Sequence, residues 1–366
     1  MPKQRTACKQ AVAPGEAFVV VFVVSWWFAV PFRPAIGNPP KMTPRQRLIS
    51  ALTGVVPDRV PYFEYGIDAS VVRGAFGHSP EDRLEFNRLV GRCDLEVWHK
   101  PPVFARYQKT DDGRSHLVEG LVRTRAGYRE HFRLPPPVDA QGLEAAASAI
   151  EGKGEFAMGL VISLSADPVL LSMGFDGFAY ALADDPGLVA EMLDRYTDWT
   201  VAVLDEYQKL NFDFVLCGDD VAHKTGPFMS PGVFRDMFWP RMKRVADAIR
   251  VPWIQHCDGD LMPIMKDWLA LGMNAIHPIE PGAMDIFALK RRFGHRLCLC
   301  GNFDINILSL GTPEETWEEV RHKMAALMPG GRYVAASSTS IPFYVKPENF
   351  RAMVDAMRVL GRYPPP

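Results

Sequence analysis

Short apolar runs alternate with helical segments along most of this 366-residue chain. The runs that read as strands are residues 60–65, 95–98, 156–162, 212–217, 253–256, 275–279, 297–300 and 333–336. Alternation of this kind is typical of βα units around a parallel sheet. Eight strands are the number that a closed barrel needs, so the sequence predicts an α/β fold of the (β/α)8, TIM-barrel type.

The intervening segments carry helix signals. Long helices are predicted at residues 185–210, 230–250 and 312–327. An earlier helix begins after Thr43, which suits an N-cap and is followed by Pro44. Ser79-Pro80-Glu81-Asp82 predicts another helix start. Residues 103–138 differ, with alternating polar and apolar positions and a turn signal at Asp111-Asp112-Gly113, and predict an antiparallel β excursion from the barrel.

Residues 1–41 form an N-terminal extension whose composition differs from that of the barrel domain predicted at 42–366. Lys3, Arg5 and Lys9 precede an apolar run at 17–32 that is shorter than the ~20 residues needed to span a bilayer. Three interpretations stay open: translation that begins at Met42, a membrane anchor, or a cleaved signal. Contact with a membrane is expected only if residues 17–32 are an anchor.

Charge and cysteine content limit the function classes. A formal net charge of −2, without an arginine- or lysine-rich stripe, disfavours a nucleic-acid partner. Six cysteines occur without a disulfide rhythm or a C-x-x-C pair, which predicts reduced thiols in a cytoplasmic protein. No glycine-rich phosphate loop follows a predicted strand. The expected partner is therefore a small molecule or another protein.

Loops that follow the strands form the active-site rim of a parallel barrel. Polar residues just beyond the predicted strands are therefore candidate site residues. The four candidate catalytic residues are Asp219, Asp220, His256 and Asp258. The candidate substrate-binding residues are Glu64, Tyr65, His99, His277, Glu280, Asn302, Asp304 and Thr339.

His256 and Asp258 form the most informative pair. Strand alternation places both on one face and Cys257 on the other. The pair could transfer protons or supply two ligands to a metal, and a histidine bonded only to nearby backbone is the structural alternative. Asp219 and Asp220 could anchor a base, bind a cation or orient hydroxyl groups, or they could cap the next turn.

Cys298 and Cys300 share a face of their predicted strand. Two thiols at this spacing could bind a soft metal together. Cysteines that alternate in an apolar run are more often small buried hydrophobic residues, so packing is the favoured interpretation.

An ordered set of motifs resembles the uroporphyrinogen decarboxylase superfamily over residues 42–362. The motifs are Met42 to Gly54 with Pro57-Asp58-Arg59-Val60-Pro61, Met229-Ser230-Pro231-Gly232 with Pro240, His256-Cys257-Asp258-Gly259-Asp260, His277-Pro278-Ile279-Glu280-Pro281, Gly301-Asn302-Phe303-Asp304, Gly311-Thr312-Pro313-Glu314-Glu315, Ile341-Pro342 and Lys346-Pro347-Glu348-Asn349-Phe350. The resemblance implies a (β/α)8 barrel with a deep cleft at the carboxyl ends of the strands.

The resemblance also distinguishes branches of the superfamily. Its tetrapyrrole decarboxylases have an Arg-Gln-Ala-Gly-Arg core after the first strand that grips substrate carboxylates. This chain has Glu64 and Asp68 there and no arginine before Arg73. Its zinc-containing methyltransferases use His-x-Cys-Gly and a later cysteine, where this chain has Asp258 and Thr339. A thiolate-rich zinc site is therefore disfavoured, and His256 and Asp258 are weak metal candidates.

The resemblance then implies a methyltransferase that is independent of a thiol acceptor. The expected reaction moves a methyl group between a corrinoid on a separate protein and a small acceptor such as a pterin, with Asp219, Asp220 and Asp258 protonating or orienting the acceptor nitrogen. The first alternative is a decarboxylase of a porphyrinogen or a smaller carboxylate. The second is a protein that binds a corrinoid or tetrapyrrole without catalysis.

Overall fold

A computed structural model describes residues 41–110 and 115–364 of the chain. The predicted apolar run at 17–32 and the turn at 111–113 lie outside these residues. Within the described ranges, none of the helices combines the length and the apolar character needed to cross a membrane.

Seven parallel strands form the main sheet. The described strands in chain order are β1 (Asp94–Trp98), β2 (Ala105–Lys109), β3 (Ser115–Gly120), β4 (Ala157–Ile162), β5 (Phe214–Gly218), β6 (Ala222–His223), β7 (Gly226–Pro227), β8 (Trp253–His256), β9 (Ala275–His277), β10 (Cys298–Cys300) and β11 (Tyr333–Val334). The sheet has the order β1-β4-β5-β8-β9-β10-β11, and each neighbouring pair is parallel. This confirms the α/β class and the parallel sheet.

The segment predicted as the first strand, residues 60–65, differs from the prediction. It forms isolated bridges instead of a strand: Tyr62 pairs in parallel with both Arg92 and Ala335. These two partners adjoin β1 and β11, the two edges of the sheet. Pro61 has no N–H to donate to a ladder, which favours isolated bridges over a continuous strand. A fully closed eight-stranded barrel stays a prediction.

Helices follow most of the strands. The described helices are α1 (Pro44–Thr53), α2 (Ala69–Phe76), α3 (Arg83–Val90), α4 (Arg125–His131), α5 (Ala140–Glu151), α6 (Ala166–Met173), α7 (Phe175–Asp184), α8 (Pro186–Tyr207), α9 (Pro231–Val233), α10 (Trp239–Ala248), α11 (Met265–Leu269), α12 (Ile286–Phe293), α13 (Ile305–Leu310), α14 (Pro313–Leu327) and α15 (Pro347–Leu360). A π-helical turn, Phe234–Phe238, joins α9 to α10. Pro240 lacks the N–H that a regular α-helical bond would need, which accounts for an irregular turn just before it.

Two local predictions are corrected. The helix predicted to start at Ser79 begins at Arg83, because the Asp82 side chain accepts a hydrogen bond from the Glu85 N–H at 2.9 Å and acts as the N-cap. The predicted antiparallel excursion is confirmed as the β2–β3 hairpin, but α4 follows it where the prediction continued the β structure.

Helix α1 closes one end of the sheet. Its buried Leu48 and Leu52 pack in one cluster with the first residues of three strands, Ala157 of β4, Phe214 of β5 and Cys298 of β10. Cys300 belongs to the same cluster. Because these residues fill the amino-terminal half of the sheet, polar groups are left to converge at the carboxyl ends.

Replacing Thr312 by alanine is expected to lower the free energy of unfolding by about 1 kcal/mol. Thr312 Oγ1 accepts from the Glu315 N–H at 3.2 Å, and the Glu315 side chain accepts from the Thr312 N–H at 2.8 Å. Alanine leaves the Glu315 N–H without this acceptor at the start of α14. Chemical denaturation measures the change, and Thr312→Ser, which keeps the hydroxyl, should retain the wild-type value.

Candidate functional site

Aromatic and acidic side chains meet at the carboxyl ends of β5, β8 and β9. His256 ends β8 and His277 ends β9, and their Nδ1 atoms lie 2.8 Å apart. The Tyr65 ring stacks on the His256 imidazole with centroids 4.3 Å apart. Asp220 Oδ1 lies 3.7 Å from His256 Nε2. These four residues and Asp258 are called the His256 cluster below.

Both histidines of the cluster are buried and neutral. Burial lowers the pKa of His256 to about 4, although the nearby Asp220 charge opposes this. Burial, followed by the proximity of His256, holds the pKa of His277 well below its ordinary value. The short contact between the two Nδ1 atoms requires that one carries the hydrogen and the other accepts it. The imidazole that donates at Nδ1 keeps a lone pair at Nε2, through which it can accept a proton or bind a metal.

Asp258 is the acid of the cluster that is suited to carry a proton at neutral pH. Its Oδ1 is buried and has no hydrogen-bond partner among the described residues. Burial, then the charges of Asp220 and Glu280, raise the pKa of Asp258 to about 7. The Asp258 N–H donates to Asp220 Oδ1 at 2.9 Å, which fixes the Asp220 carboxylate against the Asp258 backbone. A carboxyl group with a pKa near neutrality is suited to proton transfer.

The side chain of Asp219, predicted to be catalytic, binds the loop after β4, whereas its backbone N–H donates to the His256 carbonyl oxygen at 3.1 Å. Its carboxylate accepts from Ser163 Oγ at 2.8 Å, from the Asp167 N–H at 2.8 Å and from the Leu164 N–H. Burial raises its pKa to about 6, although these donors oppose the shift. The contacts make Asp219 the residue that holds the loop after β4 in place.

Two residues that sequence reasoning missed lie beside the cluster. Lys100 Nζ is 3.4 Å from Tyr65 Oη and 3.3 Å from the Gly218 carbonyl oxygen. Burial lowers the pKa of Lys100, but the charges of Tyr65 and Asp167 outweigh it and the pKa is raised. Burial, then the Asp219 charge, raises the pKa of Asp167 to about 7. Lys100 and Asp167 each follow a predicted strand by a few residues, and this position could have marked them as candidate site residues.

Three predicted substrate-binding residues have structural partners. Glu64 is fully buried and accepts from Ser337 Oγ at 2.6 Å and Tyr62 Oη at 3.1 Å. His99 Nε2 lies 2.7 Å from the Pro137 carbonyl oxygen, and its Nδ1 lies 3.2 Å from Tyr207 Oη. Asp304 caps α13 by accepting from the Asn306 N–H at 2.8 Å. None of these contacts joins the three side chains to His256.

Of the remaining predicted residues, Glu280 interacts with Asp258, and Asn302 and Thr339 form contacts outside the His256 cluster. The Glu280 charge acts on Asp258, and Glu280 Oε1 is 3.3 Å from Lys224 Nζ. Asn302 donates to the Ile279 carbonyl oxygen at 2.7 Å, and its own Oδ1 is buried without a partner among the described residues. The Thr339 N–H donates to Ser337 Oγ at 3.4 Å, so Thr339 adjoins the Glu64 contacts.

Asp220, His256 and Asp258 could hold a metal ion. Each offers one ligand atom, and the three atoms lie within 4.8 Å of one another. One nitrogen and two carboxylate oxygens suit a divalent ion of intermediate hardness. A thiolate-rich zinc centre does not fit, because Cys257 Sγ accepts from the Val221 N–H at 3.3 Å and burial raises the pKa of this thiol well above its ordinary value. The absence of zinc stays a prediction.

A family model for uroporphyrinogen decarboxylase (URO-D) matches residues 169–360, which include β5 and β8 to β11. The chain belongs to the uroporphyrinogen decarboxylase family. A uroporphyrinogen decarboxylase from Shewanella pealeana is 24% identical over 248 residues, which are 62% of this chain and 67% of the relative. The enzyme of the same name from Shewanella loihica is 25% identical over 191 residues, or 50% of this chain and 51% of the relative.

Among solved structures, a methyltransferase from Methanosarcina mazei shares the fold. It superposes with a TM-score of 0.66 at 18% identity, covering 87% of this chain and 99% of that one. This likeness concerns the fold. Together with the family model, it shows that the chain has the barrel-type architecture of a family whose members are enzymes.

Proposed function

We propose that this chain is a methyltransferase that moves a methyl group between a small molecule and a corrinoid carried on a separate protein. The observation that carries the proposal is the buried Asp258 Oδ1, which has no hydrogen-bond partner among the described residues and lies in the same cluster as His256. Its carboxyl group has a pKa raised to about 7 by burial and nearby charges. Methyl transfer needs a proton at the heteroatom that loses the methyl group, or removal of one from the heteroatom that gains it. The methyltransferase from Methanosarcina mazei, which has the same fold, supports this branch.

The charge of the site disfavours a substrate with many carboxylates. Asp167, Asp220, Asp258 and Glu280 gather near the cluster, and Lys100 is the cation in contact with Tyr65. Acidic side chains repel a polycarboxylate such as uroporphyrinogen. Glu64 and Asp68, which stand where tetrapyrrole decarboxylases have their arginine core, have structural partners in this chain. Glu64 bonds to Ser337, and Asp68 caps α2 by accepting from the Ser70 N–H at 2.8 Å.

Each residue of the site has a role in this proposal. Asp258 holds the proton at its unpartnered Oδ1 and exchanges it with the reacting heteroatom of the small molecule. Asp220 is held in the site by the 2.9 Å bond that its carboxylate accepts from the Asp258 N–H, and its charge favours the protonated form of Asp258. Tyr65 packs against His256 and limits the access of water to it.

The rim is suited to a flat macrocycle. Trp98, the last residue of β1, is 48% exposed. Its ring meets the Tyr65 ring edge to face, with the ring centroids 5.2 Å apart. Exposed aromatic rings provide large contact areas for planar partners. The corrinoid, when bound, would supply or receive the methyl group. In this proposal the barrel is completed by residues 60–65 between β1 and β11.

The test uses the full chain with free methylcobalamin and tetrahydrofolate as a pterin. We expect loss of the methylcobalamin absorption that depends on both the protein and the pterin. A parallel reaction with uroporphyrinogen, assayed for carbon dioxide, should give none. Release of carbon dioxide without any methyl transfer would refute the proposal.

The rate of methyl transfer from a methylated pterin to the corrinoid, measured as the gain of methylcobalamin absorption, is expected to fall as the pH rises above about 7. In this direction the nitrogen that loses the methyl group takes a proton from Asp258. The pKa of Asp258 is raised to about 7 by burial and by the charges of Asp220 and Glu280, so its carboxyl group is protonated below that value and loses the proton above it. Asp220→Asn removes one of these charges but keeps an acceptor for the Asp258 N–H. In this variant the falling limb should move to lower pH. If the fall of the rate stays at the same pH in Asp220→Asn, a group other than Asp258 causes it.

A decarboxylase of a small carboxylate is the second candidate. Lys100 favours it, because this buried ammonium group lies at the cluster and could pair with a single carboxylate. Lys100→Met distinguishes the two candidates. It should abolish binding of a monocarboxylate if the site is a decarboxylase, and it should leave binding of the pterin largely intact if the site transfers methyl groups.

A further inference from the structure

Five arginines line one cavity at the end of the sheet opposite to the His256 cluster. The cavity has a volume of about 260 Å³, and its lining includes Pro44 at the start of α1, Cys93 before β1 and Phe156 before β4. Its arginines are Arg47, Arg59, Arg88, Arg92 and Arg358. The cavity therefore lies at the amino-terminal end of the strands, away from the chemistry proposed above.

Four of the arginines are neutralised by carboxylates. The ion pairs are Arg47 with Asp58 at 2.6 Å, Arg88 with Glu155 at 2.8 Å, Arg92 with Asp94 at 2.7 Å and Arg358 with Asp355 at 3.4 Å. Asp355 is shared with Arg351, which lies 2.6 Å from it, and Arg92 has a second carboxylate, Glu96, at 3.4 Å. These four guanidinium groups shape the cavity without adding a net charge of their own.

Arg59 is the exception. It donates to the carbonyl oxygens of Met357 and Arg358, at 3.1 and 2.8 Å, and forms no ion pair with a carboxylate among the described residues. Its backbone pairs with that of Arg362, another arginine without an ion pair in the described part of the chain. Burial, then the charges of Arg47 and Arg362, lower the pKa of Arg59. Two guanidinium groups without an ion pair among the described residues therefore lie close together.

A partly buried guanidinium group without a counter-ion has lost hydration that no carboxylate replaces. An anion in the cavity would supply the charged partner that the Arg59 guanidinium group lacks. Guanidinium groups match the geometry of phosphate and carboxylate oxygens and bind them through paired hydrogen bonds. The volume limits the occupant to a small molecule.

We propose that this arginine-lined cavity binds a small polyanion through its phosphate or carboxylate oxygens, with Arg59 as the main contact. The site is separate from the His256 cluster, so it does not depend on the reaction catalysed there. Because the ligand binds residues from α1, α3 and α15 together, it stabilises the folded chain by mass action.

The experiment is calorimetric titration of the full chain with inorganic pyrophosphate and with tricarballylate, at ionic strength matched with sodium chloride. Saturable binding of pyrophosphate alone supports a phosphate ligand, and saturable binding of tricarballylate alone supports a carboxylate ligand. Binding of both supports the shared chemistry. Absence of saturable binding of either anion overturns the proposal.

Variants locate the site. Arg59→Ala is expected to weaken binding about tenfold or more, and Arg59→Lys, which keeps the charge but loses the planar fork, should have a smaller effect. Arg362→Glu changes an exposed side chain, so it tests the local potential without removing the Arg59 contacts to α15, and it should also weaken binding. The matched control is Arg235→Ala, an exposed arginine paired with Asp267 at 2.8 Å. The proposal is contradicted if Arg59→Ala and Arg362→Glu bind the anion with wild-type affinity. It is also contradicted if Arg235→Ala loses as much affinity as Arg59→Ala.

Discussion

Asp258→Asn is expected to lower kcat/KM for methyl transfer by about 10² to 10⁴-fold, the usual contribution of a positioned acid or base. Asparagine has nearly the same shape as aspartate and keeps the backbone N–H that donates to Asp220. It cannot exchange a proton with the reacting heteroatom. The measurement is the steady-state rate of methylcobalamin loss with saturating pterin.

The matched control is Asp247→Asn, which neutralises an exposed carboxylate that pairs with Lys243 on α10. This variant should have the wild-type rate. Thermal unfolding of Asp258→Asn should show that the fold is retained, so that a loss of rate reports on chemistry. If Asp258→Asn kept most of the activity, the proton would have to come from another acid, and Asp167, with its pKa of about 7, would be the next to test.

Arg92→Met is expected to lower the free energy of unfolding by about 3–5 kcal/mol, because it removes one partner of a buried ion-pair network. Arg92 Nη2 lies 2.7 Å from Asp94 Oδ2 and 3.4 Å from Glu96 Oε1. Both carboxylates are buried. Without the guanidinium group they are left as unpaired charges or must bind protons.

The pH dependence of this loss has a defined sign. Burial raises the pKa of Glu96 from 4.5 to about 7, although Arg92 opposes the shift, and burial also raises the pKa of Asp94. A raised pKa in the folded protein means that it binds more protons than the unfolded chain, so stability falls as the pH rises through the folded-state pKa. Without Arg92 the pKa values rise further. The destabilisation should therefore be smaller at pH 5 than at pH 8.

Urea denaturation at the two pH values measures the effect. The control is Arg88→Met, whose guanidinium group pairs with Glu155 in an exposed position. Exposed pairs contribute little to stability, so this variant should unfold close to the wild type at both pH values. Equal stabilities of Arg92→Met and the wild type would show that the network is dispensable.

Several parts of the fold were predictable because they depend on local patterns. The apolar runs around β4, β5 and β8 are fully buried strands, and residue composition alone marks them. The start of α1 was also predictable, because Thr43 and Gln46 form a capping box. Residues 60–65 were harder, since their pairing depends on the two distant edges of the sheet.

The candidate site divides in the same way. Strand alternation predicted that His256 and Asp258 share a face, and both contribute to the cluster in which Asp220 joins them. Adjacent Asp219 and Asp220 could not be distinguished from their spacing. Their roles differ because the loop at Ser163 surrounds Asp219, whereas Asp220 faces His256.

The sequence by itself determined the parallel α/β architecture and the family motifs, and it predicted a site at the carboxyl ends of the strands. These follow from periodicity and from the direction shared by parallel strands. Only the tertiary structure decided which acids are satisfied by loop donors and which remain available for chemistry. It also brought Lys100 to Tyr65 and left Arg59 without a carboxylate partner among residues 41–110 and 115–364. Burial and the partners of a side chain arise from contacts between distant segments, and those contacts set both its pKa and its role.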